Sequence, residues 1–312
     1  MTLKYLITGG TGGLGAHVLS YLSANVPASE YAASSSNEAS RSQFEDRGIA
    51  FRVLNYDHPK ILESALQDVE NLFFVSSNTH DPQRRIRQHQ NVVDAAKIVG
   101  VQHIWYTSLS FGGLESNSNA NLMEGHLMTE EMLRKSGLNF TSIREGPYAD
   151  AFPVWMGWYP NTSTVYLPSD GPMALTLRSE LGEATARLLM RGGKDYNEKT
   201  VVLTAQKTLT FAGVVDVINR TTGRQVQVEL VSPDEFVRLK TADDVGGKSE
   251  AFFRFVLSWY EAISSGDASF THHLMAELLG REPTPADEAI RGLLIEDSDY
   301  EWHQNYANRG QH

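Results

Sequence analysis

The chain has 312 residues, 41% hydrophobic and 21% charged, a globular composition long enough for one elaborated domain or a nucleotide domain with a smaller partner. A formal charge of -11 and the absence of cysteine argue against direct nucleic-acid binding and exclude disulfides, thiolate metal sites and cysteine nucleophiles. No apolar run approaches the roughly 20 residues of a membrane helix, and the first residues read as a strand and a glycine turn rather than a signal peptide, so a soluble, cytoplasmic protein is expected.

Six short runs read as strands: Lys4 to Thr8, Tyr31 to Ser35, Ala50 to Leu54, Leu72 to Ser76, His103 to Thr107 and Phe140 to Arg144. They alternate with helix-like stretches, as in successive βα units of a parallel sheet. Between the fourth and fifth, Ile86, Val92, Val93, Ala96 and Val99 recur near helical spacing, with Arg84, Arg85, Arg87 and Gln88 as the expected polar face. The fold class is therefore α/β, a Rossmann-type doubly wound parallel sheet. After Gly146 the pattern changes to proline, tryptophan and tyrosine, then mainly helices, which suggests a dinucleotide-binding domain over residues 1–147 and a smaller, mainly helical substrate lobe over 148–312, interleaved with the first. Ser232-Pro233-Asp234-Glu235 has the form of a helix capping box.

The most informative motif is Thr8-Gly9-Gly10-Thr11-Gly12-Gly13-Leu14-Gly15, between the first strand and an amphipathic helix. Gly9 permits the tight turn, Gly12 lets the main chain approach a pyrophosphate and Gly15 lets the helix pack closely. The helix N-terminus adds unpaired amides and a positive dipole end. The second strand runs into Ser34-Ser35-Ser36-Asn37 with no acidic residue for a ribose 2′-hydroxyl, so NADPH is expected over NADH. Arg41 either pairs with the 2′-phosphate or is a solvated surface arginine.

The glycine turn, Val26-Pro27-Ala28-Ser29, Asn55-Tyr56-Asp57, Val101-Gln102-His103-Ile104-Trp105-Tyr106-Thr107-Ser108 and Arg144-Glu145-Gly146-Pro147-Tyr148 together resemble the NmrA-like branch of atypical short-chain dehydrogenases, notably its triphenylmethane and quinone reductase members. The resemblance spans most of the chain. It implies that Gly9, Thr11, Gly12, Gly13, Leu14 and Gly15 surround the pyrophosphate and that Asn55 and Tyr56 lie near adenine. It further implies that Ser76, Ser77 and Asn78 line the ribose, with Thr107, Ser108 and Leu109 toward the nicotinamide. Two positions depart from the family pattern: Ser36 stands where related reductases often have an arginine for the 2′-phosphate, and Glu145 replaces an asparagine on the expected substrate side.

The helix expected after the fifth strand lacks the tyrosine and lysine pair of conventional short-chain dehydrogenases. His126 and Glu130, four apart on a helix, offer an acid with an orienting carboxylate, or an ordinary helix-surface contact. Tyr148 and Glu145 are further candidate proton donors. Phe111, Tyr148, Phe152, Trp155, Trp158 and Tyr159 form either a substrate wall for a flat, conjugated molecule or interface core. His272-His273 lacks the spacing of a metal site, and no metal is expected. The leading expectation is an NADPH-dependent reductase of aromatic, quinone or enone-type molecules in specialised metabolism or detoxification. The alternatives are an NAD(P)-sensing regulator that contacts a protein partner and a non-redox tailoring enzyme using the same cleft.

Overall fold

A computed structural model describes residues 2–79, 81–244 and 247–302. Its strands are β1 (Leu3–Ile7), β2 (Tyr31–Ser35), β3 (Ala50–Val53), β4 (Val69–Phe74), β5 (His103–Leu109), β6 (Phe140–Glu145), β7 (Thr164–Leu167), β8 (Lys199–Leu203) and β9 (Gln227–Leu230). Its α-helices are α1 (Gly13–Asn25), α2 (Arg41–Glu45), α3 (Pro59–Ala65), α4 (Pro82–Val99), α5 (Asn121–Ser136), α6 (Phe152–Met156), α7 (Arg178–Arg191), α8 (Phe211–Thr222), α9 (Pro233–Asp243), α10 (Glu250–Ser264), α11 (Leu274–Leu279) and α12 (Ala286–Glu296).

Seven strands form one parallel sheet in the order β3-β2-β1-β4-β5-β6-β8, and β7 pairs with β9 separately. The chain builds outward from β1 to β3, then crosses back to place β4 on the other side of β1. This reversal opens a crevice beyond the carboxyl ends of β1 and β4, where open α/β sheets bind ligands. The six expected strands lie at or within a few residues of their positions. The seventh, β8, comes from beyond Pro147 and pairs with β6 through Ile143↔Val201 and Glu145↔Leu203.

Consecutive apolar residues within a strand face opposite layers, as a sheet covered on both sides requires. Ile7, Phe73 and Trp105 meet Val18 and Leu19 of α1 and Leu181 of α7 on one face. Leu6, Phe74 and Tyr106 meet Leu62 of α3 and Val92 and Ala96 of α4 on the other. A third core, with Phe152, Trp158, Phe236 and Tyr260, lies largely in the C-terminal half.

Local signals account for helix ends. Asp81 accepts hydrogen bonds from the amides of Gln83 and Arg84 at the start of α4, and Gly100, with φ of 78°, ends it. The polar face expected for α4 needs correction: Arg84 and Arg87 are exposed, but Gln88 is buried and Arg85 half-buried. Ser232 caps α9, while the Glu235 carboxylate pairs with Arg238 instead of closing the box. Among the described residues, no helix is long and apolar enough to cross a membrane.

Candidate dinucleotide and proton-transfer site

The glycine turn has the geometry of a phosphate cradle. Gly9 has φ of 63°, a left-handed conformation that favours glycine, and the Gly12 amide donates to its carbonyl at 2.8 Å. A methyl group on Gly15 would run into the Gly9 carbonyl, so the close seating of α1 on the turn depends on that glycine. Below the turn, Thr8 Oγ1 accepts from the Val75 amide at 2.8 Å and lies 2.9 Å from the Tyr56 hydroxyl, tying the ends of β1 and β4. Small residues facing the first turn of α1 fit a dinucleotide's pyrophosphate. Thr11 is exposed at the mouth, and Leu14 points into the core.

The residues after β2 divide. Ser34 is fully buried and donates to the Ile7 carbonyl, so its hydroxyl serves the sheet rather than a phosphate. Ser35 Oγ accepts from the Asn37 amide and lies 3.4 Å from Thr11 Oγ1, while Ser36 and Asn37 are exposed. Asn37 also accepts from the Ala39 amide. Arg41 pairs with Glu38 and Glu45 and donates to the Phe51 carbonyl. It has the character of a surface ion-pair arginine, the second of the two readings its sequence position left open. Asn55 accepts from the Asp57 amide, and the Tyr56 hydroxyl lies 2.8 Å from the Val75 carbonyl.

After β4, the loop is pinned by its backbone. The Ser76 amide donates to Thr107 Oγ1 at 2.8 Å, and the Ser77 amide donates to His89 Nε2 at 2.9 Å. Thr129 Oγ1 donates to the Gly125 carbonyl, so the 2.6 Å contact between Thr129 and His89 Nδ1 places the imidazole proton on Nδ1. Burial and the nearby Arg85 charge lower the His89 pKa to about 3, consistent with that neutral tautomer. Ser77 Oγ bonds Gln88, Ser76 Oγ is buried without a protein partner, and Asn78 is exposed.

The expected partnership of His126 with Glu130 is not formed. His126 Nδ1 instead lies 3.0 Å from the Tyr106 hydroxyl, and burial followed by the charge of Arg85 pushes its pKa well below the usual value. Glu130 is buried and receives Ser108 Oγ, Ser142 Oγ and two nitrogens of Arg144. Arg144 continues to the carbonyls of Gly113 and Leu114, fixing the loop after β5. Ser108 thus belongs to this internal network, and Leu109 packs against the C-terminal core.

A different acid stands at the end of β6. Glu145 is 2% exposed, and its Oε2 accepts from the Tyr148 hydroxyl at 2.7 Å. Burial raises its pKa to about 8, opposed by the Tyr148 hydrogen bond and the charge of Arg178, while Oε1 has no protein partner. Arg178, the first residue of α7, connects this acid to the cradle. Its guanidinium occupies the space a Gly13 side chain would need and lies 5.5 Å from the Tyr148 ring centroid. It pairs with Asp150 and stacks 4.4 Å from the Trp302 ring. Sequence reasoning passed over Arg178, Asp150 and Trp302; the one signal was Gly13, a glycine beyond those the turn itself requires.

The aromatic wall also changes. Phe111, Phe152 and Trp158 are fully buried core residues, whereas Trp155 is half-buried, stacked near Phe111 and edge-on to Trp259. Tyr159 is half-buried, with its hydroxyl donating to Asp244 and accepting from Lys248. His272 and His273 stack on each other at 4.4 Å.

Known proteins share both the sequence and the fold. The chain is 50% identical over 309 residues to the NmrA-like family domain-containing oxidoreductase flvB of Aspergillus flavus, covering 98% of this chain and 100% of that protein. Quinone oxidoreductase 2 of Escherichia coli is 32% identical over 293 residues, covering 92% and 98% of the two chains. The structure of Citrobacter sp. triphenylmethane reductase complexed with NADP(H) matches with a TM-score of 0.82 and 30% identity, covering 93% of this chain and 99% of that one. The NmrA-like family model matches residues 1–274, and the chain belongs to that family.

Proposed function

We propose that the protein is an NADPH-dependent reductase of aromatic, quinone or enone-type small molecules, in which Glu145, backed by Tyr148, supplies the proton that accompanies reduction. The observation that carries this reading is a buried carboxyl with a raised pKa next to the phosphate cradle, linked to it through Arg178. The likeness to an oxidoreductase, a quinone oxidoreductase and a reductase solved with NADP(H) supports the reaction class and cofactor. The hydroxyls of Thr11 and Ser35, with exposed Ser36 and Asn37, offer hydrogen bonds at the end of β2, and the next acidic residue, Glu38, is paired with Arg41.

When bound, the cofactor supplies hydride. The amides of the turn and of the start of α1 would hold its phosphates. Because Glu145 Oε2 accepts from Tyr148, the carboxyl proton belongs on Oε1, the oxygen without a protein partner. From Oε1 the Glu145 proton would pass to the substrate oxygen that gains negative charge on reduction, leaving the carboxylate held by the Tyr148 hydroxyl. Solvent then restores the proton to Glu145.

Calorimetric titration with NADPH and NADH, followed by assay against a panel of quinones and enones, tests this reading. Selective NADPH binding with substrate-dependent loss of NADPH absorbance is expected; failure to bind either nucleotide would overturn it.

A further inference from the structure

We infer that Arg178 is a ligand of the dinucleotide pyrophosphate, supplied by the second half of the chain and oriented by Asp150 and Trp302. The inference rests on the reading that the glycine turn binds a dinucleotide. It adds a side chain that the turn motif does not contain.

Gly13 opens α1, and its helical backbone would accept any residue. A side chain there would meet the Arg178 guanidinium, which occupies that space and would have to move. A cation against the positive end of a helix is unfavourable by itself, and this position becomes favourable when an anion lies between the two. Asp150 supplies only part of that compensation. One of its oxygens meets Arg178 Nη2, and the other is buried without a partner, as is Arg178 Nε. A buried donor left unpaired is costly. A phosphate oxygen bridging the α1 amides and Arg178 Nε would satisfy it, while a ribose hydroxyl beside that phosphate could donate to Asp150 Oδ1. Tyr148 and Trp302, with ring centroids 5.5 Å and 4.4 Å from the guanidinium carbon, flank it with aromatic surface that restricts its movement.

The test titrates wild type, Arg178→Ala, Arg178→Lys, Gly13→Ala and the Gly13→Ala/Arg178→Ala double variant with NADPH and with 2′-AMP, which lacks the pyrophosphate. Expected are an affinity loss of about tenfold or more for NADPH in Arg178→Ala, smaller in Arg178→Lys, and little change for 2′-AMP. Gly13→Ala should weaken NADPH binding in wild type by displacing the guanidinium, yet add little in the Arg178→Ala background, where the space is free. Equal NADPH affinity in folded Arg178→Ala, or equal losses for both ligands, overturns the inference. If Arg178→Ala does not fold, Arg178→Lys and Gly13→Ala decide: wild-type NADPH affinity in both overturns it. Wild-type protein that fails to bind NADPH instead defeats the underlying dinucleotide reading, a separate outcome in the same experiment.

Discussion

The Tyr148 hydroxyl donates to Glu145 Oε2 at 2.7 Å, so the phenol and the carboxyl act as one hydrogen-bonded unit at the end of β6. The bond favours the ionised carboxyl, but burial outweighs it and keeps the acid protonated up to about pH 8.

Glu145→Gln preserves shape and hydrogen-bonding capacity but removes the transferable proton. Turnover is expected to fall about 100-fold or more, with NADPH affinity changed little. The folded-state pKa of about 8 lies above the ordinary 4.5. The folded protein therefore binds the extra proton between these values, and this group's contribution to stability decreases as pH rises from 4.5 to 8, by on the order of a few kcal/mol. Thermal melts across that range should show a component of falling stability in wild type that is absent from Glu145→Gln. Matching pH slopes would count against a neutral Glu145.

His126 is expected to have a structural role. His126→Ala should lose about 1–3 kcal/mol of stability through the lost packing and Tyr106 contact, while the alkaline limb of the pH-rate profile stays in place. The sign of its linkage is opposite to that of Glu145. Because its folded pKa is depressed, the stabilising contribution of neutral His126 is present above pH 6.5 and lost as pH falls below it. Loss of the alkaline limb in a folded variant would restore histidine as a candidate acid.

Glu130→Ala leaves buried Arg144 without its carboxylate and should destabilise the protein by about 3–5 kcal/mol, measured by urea denaturation. Burial opposes ionisation of Glu130, but Arg144, Ser108 and Ser142 outweigh it and hold its pKa below the usual value. Its contribution is therefore present above the unfolded carboxylate pKa and lost as pH falls through the folded one. Increased protease access to the loop at Gly113 and Leu114 should accompany the variant, since Arg144 holds both carbonyls.

Arg41→Ala should leave the ratio of NADPH to NADH affinity within about twofold of wild type, because its guanidinium already serves Glu38, Glu45 and the Phe51 carbonyl. A selective loss of NADPH binding would return Arg41 to the phosphate site.

Much of the sheet was legible because each strand is a short apolar run closed by local punctuation. Gly9 and Gly15 were equally legible, since the turn that needs them is local in sequence. β8 was not expected as a strand: Lys199–Leu203 acquires its sheet role by pairing with β6, more than 50 residues earlier. Arg85 and Gln88 show the same limit. Their residue types suggest a wet helix face, but the hydrogen bonds to Thr79, Ser77 and Asp57 that draw them inward lie on other segments.

The amino-acid order by itself determined the glycine turn and the parallel βα framework, because glycine geometry and hydrophobic period act over a few residues. Only the tertiary structure decided which charged groups meet. It gave Glu130 to Arg144 rather than to His126, held Arg41 at the surface, and brought Arg178 across from α7 to Gly13. Ion pairing and desolvation depend on distance and burial in space, which residue spacing along the chain does not encode.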